Sequence, residues 1–288
     1  MANPPQDFNV RAVSIVLLNQ AKRLWGLSLI CAILGPVLGL LSTLITLPPI
    51  AAPIALVALA ISAEAFQWRS DALKDAGEAL LRKLDMREAF GWLISPKELS
   101  DLLAQNSGLH QAITNHSSQE AYFESKESLG TVRDLANLEE SAWWSKHLSR
   151  ELGLRCLLIV SALIIVVLSV LIASVEAVQE STAAQTVQIL HTVGNVVTAA
   201  LALVFSLGLT RLGLSYYQFS SKAAPIEAEA GLLASHPSLD IQEQNILAVK
   251  LWQDYHIARA TAPFVPTWFW KRRRTSLNAI WAERNCTR

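Results

Sequence analysis

The sequence predicts an all-α membrane protein with four transmembrane helices in two hairpins and a cytoplasmic helical module. Hydrophobic residues make up 52% of its 288 residues and charged residues only 17%, an unusual ratio for a soluble domain. Lys and Arg are absent between Leu24 and Trp68 and again between Cys156 and Thr210. Long apolar blocks of this kind are typical of membrane segments. No useful length of sequence alternates between apolar and polar residues as a strand does.

The two apolar blocks each divide into a pair of predicted spans. The first block is interrupted by Pro48-Pro49, which the interior of a helix does not tolerate, and the second by a polar stretch at 176–185. At a rise of about 1.5 Å per residue, each resulting segment covers roughly one hydrocarbon thickness. The predicted spans are 24–47, 50–66, 155–175 and 186–209.

Basic residues indicate the orientation of the spans. They precede span one, follow span two and precede span three, whereas the connector inside each hairpin has none. By the positive-inside rule both connectors are external, and the segments 1–23, 67–154 and 211–288 are cytoplasmic. The basic residues that decide this are Arg11, Lys22, Arg23, Arg69, Lys74, Arg150 and Arg155.

Helical spacing and helix breakers predict the cytoplasmic helices. Apolar positions continue at helical spacing beyond span two, so this helix is expected to end near Phe90. A second helix is expected to run from Thr131 into span three without a break. Pro225 is predicted to open a short helix, followed by helices at about 239–260 and after Pro266.

Span four carries a stripe of polar and small side chains. Its members recur every three or four residues, so they share one face of a helix. Such a stripe either lines water or forms hydrogen bonds with neighbouring helices, and the sequence leaves both interpretations open. The stripe consists of Gln188, His191, Asn195, Thr198, Ala202 and Ser206.

Gly35 and Gly39 of span one have the GxxxG spacing, which lets another helix approach closely. That helix belongs either to the same chain or to a neighbouring subunit. We favour packing within the chain.

An aromatic and basic group precedes span three. Trp143, Trp144, Lys146, His147 and Arg150 combine aromatic faces for a base with positive charge for a phosphate. They are therefore a candidate site for sensing a ligand or partner. Anchoring at the membrane interface, combined with helix packing, is the favoured alternative because aromatic and basic residues concentrate there.

Near the C-terminus, aromatic residues are followed directly by a basic cluster. A segment of this type most often lies on an anionic lipid leaflet, which attracts it by about 1 kcal/mol per basic residue. Nucleotide binding is the alternative here too. This candidate membrane-surface segment consists of Trp268, Trp270, Lys271, Arg272, Arg273 and Arg274.

The sequence gives no indication of an enzyme, a cofactor or a metal site. Its six histidines are scattered without HExxH or zinc-finger spacing, and it has no phosphate-binding glycine loop or nucleophile elbow. The formal net charge of zero does not favour nucleic-acid binding, because proteins of that class carry a basic surplus.

Three short motifs resemble a known family. They are FGWLIS at 90–95, LEESAWWSKH at 138–147 and FVPTWF at 264–269. Together with two membrane hairpins separated by a cytoplasmic insert, they resemble the SMODS and SLOG-associating four-transmembrane effector family of bacterial conflict systems. The resemblance covers most of the chain from Leu24 onward. Pro266 is followed here by Thr267, where the family pattern would have an acidic residue.

The resemblance implies a multi-pass effector of the bacterial inner membrane, with both termini in the cytoplasm. Such an effector opens or disrupts the membrane when phage infection is sensed, and the family has no catalytic residues. The expected partners are the lipid bilayer, further copies of the chain, and a cyclic nucleotide or its associated nucleotidyltransferase system.

Two other functions remain open. One is a constitutive or gated ion channel with a topology similar to that of bestrophins. A constitutive channel would conduct without a trigger. The other is a membrane scaffold that recruits a soluble partner. A scaffold would keep its activity after replacement of Gln188, His191 and Asn195 by Leu.

Overall fold

The computed structural model describes residues 10–44, 50–95, 97, 100, 101, 104, 123, 125–179, 182–235 and 240–286, without the side chains of residues 40, 42–44, 52, 184, 191, 203 and 206. The chain has no strand over these ranges, which confirms the all-α prediction. Its seven continuous helices in the same ranges are α1 (Val10–Leu44), α2 (Ala51–Phe90), α3 (Thr131–Gln179), α4 (Ala183–Ser206), α5 (Leu209–Ser235), α6 (Ile241–Ala260) and α7 (Thr267–Cys286).

Two helices are long and apolar enough to cross a membrane. They are Val10–Gly39 within α1 and Thr131–Gln179, which is α3. Within the described ranges, therefore, two helices and not the predicted four are candidate membrane spans by length and composition. The described part of α2 becomes polar from Glu64 and Arg69 onward, and the side chains of residues 184, 191, 203 and 206 of α4 lie outside the described ones, which leaves no described stretch of 18 residues there. The predicted turn at Pro48-Pro49 lies outside the described residues.

The chain divides into two compact units. Unit 1 comprises Met1–Lys22, Ser70–Arg150 and Tyr216–Arg288, and unit 2 comprises Arg23–Arg69 and Glu151–Ser215. Helix α4 belongs to unit 2, and α6 and α7 belong to unit 1. Helices α1, α2, α3 and α5 contribute residues to both units.

Helix α1 begins at Val10, well before the predicted start of span one. Its first turns bury one face in unit 1, where Val13, Leu17 and Ala21 are all 0% exposed. Their spacing of four residues places them on the same side of the helix. The Ser70 hydroxyl of α2 also donates a hydrogen bond of 2.8 Å to the carbonyl oxygen of Ala21. The helix starts early because these turns have a protein core to pack against.

Helices α2 and α3 end and begin at the predicted residues. Helix α2 ends at Phe90, and Gly91 follows with φ of 72° and an N–H that donates to the carbonyl oxygen of Arg87 at 2.8 Å. Glycine is favoured at this left-handed position because it has no Cβ. Helix α3 begins at Thr131 and continues unbroken to Gln179.

Gly77 of α2 lies against α1 in unit 1. A Cβ at this position would be 2.9 Å from Cγ and Cδ2 of Leu18 and 3.5 Å from Cβ of Leu17. We expect Gly77→Val to lower the free energy of unfolding by about 1–3 kcal/mol, as overpacking does, and thermal melting of the detergent-solubilised chain measures this loss. Gly26→Val is the control, because a Cβ there would meet nothing within 4 Å among the described atoms. An equal loss in both variants would show that helix propensity, not the close approach, is responsible.

Helix α5 passes through Pro225, so the prediction of a short helix opening at this residue is wrong. A proline inside a helix removes one backbone hydrogen bond and costs about 3 kcal/mol. The helix nevertheless continues because one face is buried on both sides of the proline. The buried residues of this face are Tyr216, Phe219, Ala223, Ile226 and Ala230.

Helices α3 and α6 meet in the apolar core of unit 1. Trp252 and Tyr255 of α6 are each 1% exposed, and their ring centroids are 5.8 Å apart. The Trp252 indole N–H donates to the carbonyl oxygen of Asp134 at 3.3 Å, and the Tyr255 hydroxyl donates to that of Ser141 at 3.1 Å. Both rings are thus buried while their polar ends have partners on α3.

The helices of unit 2 expose many large apolar side chains. Examples are Ile30 of α1 at 52%, Ile165 of α3 at 62% and Phe205 of α4 at 77% exposure. Apolar surface of this extent marks a site that contacts a membrane or another protein.

A glycine separates α4 from α5. Gly208 has φ of 54°, and its N–H donates to the carbonyl oxygen of Phe205 at 3.1 Å. This left-handed conformation ends α4 at Ser206, short of the limit predicted for span four, because the chain cannot continue as a regular helix through it.

Candidate functional site

Three helices of unit 2 surround a cleft of about 560 Å³. This volume is in the range of about 300–1,000 Å³ typical of small-molecule sites. The walls come from α1, α2 and α4, and most of the lining side chains are small or apolar.

The α1 wall consists of small residues and includes the predicted glycine pair. Gly35 and Gly39 line the cleft with Cys31, Ala32 and Pro36. A Cβ at Gly35 would lie 3.9 Å from Cδ2 of Leu56 in α2. A Cβ at Gly39 would meet nothing within 4 Å among the described atoms, so only Gly35 lies near a helix of the same chain and the GxxxG interpretation stays a prediction.

The α4 wall contains the middle of the predicted polar stripe. Asn195, Thr198 and Ala202 line the cleft together with Ala199. Asn195 is half-buried and Thr198 is exposed. An amide and a hydroxyl thus border a space whose other walls are largely apolar.

The remaining members of the stripe are placed differently. Gln188 is exposed on α4 and lies outside the described lining of the cleft. Its backbone carbonyl accepts a hydrogen bond of 3.0 Å from the Thr192 hydroxyl. The side chains of His191 and Ser206 lie outside the described residues.

Glu64 of α2 also lines the cleft, and the sequence analysis did not single it out. It is exposed, and it is the one formally charged residue in the described lining. An ionisable residue inside a membrane segment is by default a functional candidate. Its isolation was an available signal, because Glu64 is the only charged residue of the predicted span 50–66.

The aromatic and basic group before span three occupies both buried and exposed positions. Trp143 is 3% exposed, and its ring centroid lies 5.1 Å from that of Trp281 and 4.7 Å from that of His147. Trp144 is half-buried and Arg150 is exposed. Because so little of Trp143 is exposed, its surroundings favour helix packing over stacking on a nucleotide base.

Lys146 belongs to a charged network that joins α3, α5 and α7. Glu227, which is 5% exposed, accepts hydrogen bonds from Lys146 and, at 2.5 Å, from Arg284. Arg284 also donates to Glu139 at 2.7 Å. Burial alone would raise the pKa of Glu227, but the hydrogen bonds from Lys146 and Arg284 lower this pKa below its ordinary value. The charge on Lys146 is therefore engaged within unit 1.

Unit 1 also buries a group of polar side chains that have no such partners. Asp85 of α2, Asp134 and Asn137 of α3, and His256 of α6 are each at most 6% exposed. Oδ2 of Asp85 and Nε2 of His256 are 3.7 Å apart, which is too long for a hydrogen bond. Among the described residues, the side-chain nitrogen and oxygen atoms of these four have no hydrogen-bond partner.

Burial determines the protonation of this group. It raises the pKa of Asp85 well above its ordinary value, although the Arg259 guanidinium opposes it, and it raises the pKa of Asp134 to about 7. It also lowers the pKa of His256 to about 3. At neutral pH His256 is therefore neutral and Asp134 is close to its midpoint, while burial shifts Asp85 towards its protonated form.

The basic cluster near the C-terminus lies on α7. The Arg274 guanidinium lies 5.1 Å from the ring centroid of Trp270, which is 36% exposed. Arg273 is half-buried, and it lies on the same side of α7 as Phe269, which is buried in unit 1. The exposed members of the predicted membrane-surface segment are Trp268, Trp270, Lys271, Arg272 and Arg274.

Comparison of the chain with protein-family models, with curated proteins and with solved structures found no match. Within the described ranges there is also no group of three or more His, Cys, Asp and Glu side chains placed to hold a metal ion.

Proposed function

We propose that the chain is a multi-pass protein of the bacterial inner membrane that oligomerises and permeabilises the membrane when a cyclic nucleotide or a partner protein triggers it. The cleft of unit 2 supports this proposal more than any other feature. An amide, a hydroxyl and a carboxylate border a space between helices whose other sides are apolar. Polar groups at membrane depth lie where they meet protein or water, not lipid.

All four helical segments of unit 2 are proposed spans. Helices α1 and α3 have the required length and composition. On α2 and α4, Ile54, Ile61, Val187 and Phe205 are 62–77% exposed. Lipid is a better solvent than water for these side chains, by about 25 cal/mol per Å² of apolar surface. The basic residues flanking the spans favour an orientation with both termini and unit 1 in the cytoplasm.

Assembly of several copies is part of the proposal, because a cleft in one chain borders only a small volume of water. Small residues and polar side chains drive helix association in lipid. Gln188 is exposed on α4, where a neighbouring copy could contact it.

The trigger is proposed from the resemblance to the effector family. Helices α1, α2 and α3 each contain residues of both units, so a ligand that acts on unit 1 has continuous helices through which to act on unit 2. Exposed Arg150 and the exposed basic residues of α7 carry the positive charge that a phosphate group would need.

Dye release from liposomes tests this function. The full chain is reconstituted in vesicles of phosphatidylethanolamine and phosphatidylglycerol, and a panel of cyclic di- and trinucleotides is added. We expect release with one of these ligands. The triple variant Gln188→Leu/His191→Leu/Asn195→Leu is expected to abolish it, because the stripe loses its hydrogen-bonding groups while α4 becomes more apolar and inserts at least as well.

Thr186→Leu is the matched control, because Thr186 is on α4 but outside both the stripe and the described lining of the cleft. This variant should retain release. Release without any addition would favour the constitutive channel, and release retained in the triple variant would show that the stripe does not line the leak. If neither cyclic nucleotides nor a cognate partner protein caused release, the proposed function would be wrong.

A further inference from the structure

Glu64 places a carboxylate at one end of the cleft. It is the last residue of α2 in the lining, which begins on that helix at Leu56. Lining residues of one helix follow each other along its axis, so the last of them marks an end of the space and not its middle. Glu64 is exposed there.

The described lining of the cleft contains no positive charge that would balance this carboxylate. The described lining includes no Lys, Arg or His. The apolar blocks that form unit 2 also have no Lys or Arg between Leu24 and Trp68 or between Cys156 and Thr210. A single negative charge beside walls of low dielectric constant concentrates cations and excludes anions locally.

We infer that the cleft attracts small monovalent cations and repels anions, and that Glu64 supplies the charge responsible. This inference rests on the proposed function and adds a substrate class to it. In an assembled pore, each copy contributes one Glu64 carboxylate, and a ring of carboxylates is an arrangement that favours cations. Asn195 and Thr198 add side-chain oxygen atoms on the α4 wall of the cleft, which can replace part of a cation's hydration shell.

Cys31 provides a local probe of this charge, because its free thiol lines the same cleft. The full chain carries Cys156→Ser and Cys286→Ser, so that Cys31 is its one thiol. Its modification by a cationic and by an anionic methanethiosulfonate reagent is compared, each rate being divided by that of a free thiol in solution. We expect the cationic reagent to react about tenfold faster than the anionic reagent.

Three substitutions identify the source of the difference. Glu64→Gln should bring the two normalised rates together, and Glu64→Asp should keep them apart. Glu176→Gln is the control, because Glu176 is an exposed carboxylate of α3 outside the described lining. This control should leave the ratio of rates unchanged.

Several results would overturn the inference. They are equal normalised rates in the parent chain, a ratio that Glu64→Gln leaves unchanged, and failure of the cationic reagent to reach Cys31. The measurement needs no conductance, so its outcome is separate from that of dye release. Where release does occur, the permeability ratio of K⁺ to Cl⁻ in a salt gradient should also fall several-fold in Glu64→Gln, and an unchanged ratio would count against Glu64.

Discussion

Replacing Asp134 by asparagine is expected to raise the free energy of unfolding of the chain, and by more at pH 8 than at pH 5. The Asp134 side chain is fully buried, and its pKa rises from 3.8 to about 7. The folded chain therefore holds a proton that the unfolded chain releases, so stability falls as the pH rises from about 4 to about 7. Asparagine has nearly the same shape and no charge. The expected gain is about 2 kcal/mol at pH 5 and about 4 kcal/mol at pH 8.

Two effects oppose the loss of stability that ionisation of Asp134 causes. Asp134 lies in the first turn of α3, where the helix dipole favours the ionised carboxylate by about 0.3–1 kcal/mol, which is smaller than the effect of burial. The neighbouring buried groups also titrate. The raised pKa of Asp85 acts in the same direction as that of Asp134, whereas the lowered pKa of His256 removes stability as the pH falls from 6.5 towards 3. The decline in the stability of the chain above pH 6.5 therefore contains no contribution from His256.

Chemical denaturation of the detergent-solubilised chain at pH 5 and pH 8 measures this effect. Asp254→Asn is the control, because Asp254 is an exposed carboxylate on α6. It should change stability little at either pH. A gain in Asp134→Asn of the same size at both pH values would show that ionisation of this carboxyl group has no part in it.

Replacing Glu227 by alanine is expected to destabilise unit 1 by about 3 kcal/mol, the lower end of the range for breaking a buried ion pair. The substitution removes the acceptor of hydrogen bonds from Lys146 and Arg284 while both cations stay in the folded chain. The lower end applies because Lys146 and Arg284 keep 25% and 29% of their side chains exposed and can gain water. Thermal melting of the full chain should show the loss.

Glu229→Ala is a closely matched control, because Glu229 is an exposed residue of the same helix, two positions further along. Both variants lose one glutamate and gain one alanine in α5, so they change helix propensity equally. If the two melting temperatures fell by the same amount, the network around Glu227 would add no net stability, as is common for exposed ion pairs.

Local signals were sufficient to predict some helix limits and not others. Gly91 follows the end of α2 and Gly130 precedes the start of α3, both with positive φ, and both helix limits were predicted. The early start of α1 and the passage of α5 through Pro225 depend on a buried face that other helices provide. Tertiary packing overrides local preference at these two places, and a single sequence does not reveal it.

The cleft could be predicted only in part, because a single sequence shows which residues share a helix face but not which helices meet. Helical spacing alone placed Asn195, Thr198 and Ala202 on one face, and the structure places all three in the lining of one cleft. Glu64 was overlooked although its isolation in an apolar segment was visible. The buried group around Asp85 and His256 could not have been found, because these residues are distant in sequence and each has the appearance of an ordinary surface residue.

The glycine between α4 and α5 has a mechanical consequence. Within the described ranges, α1 and α2 supply cleft walls and run as unbroken helices into residues of unit 1, whereas α4 ends at Ser206, before Gly208. The α1 and α2 walls are therefore joined to unit 1 by continuous helical backbone, and the Asn195 wall has no such connection to α5.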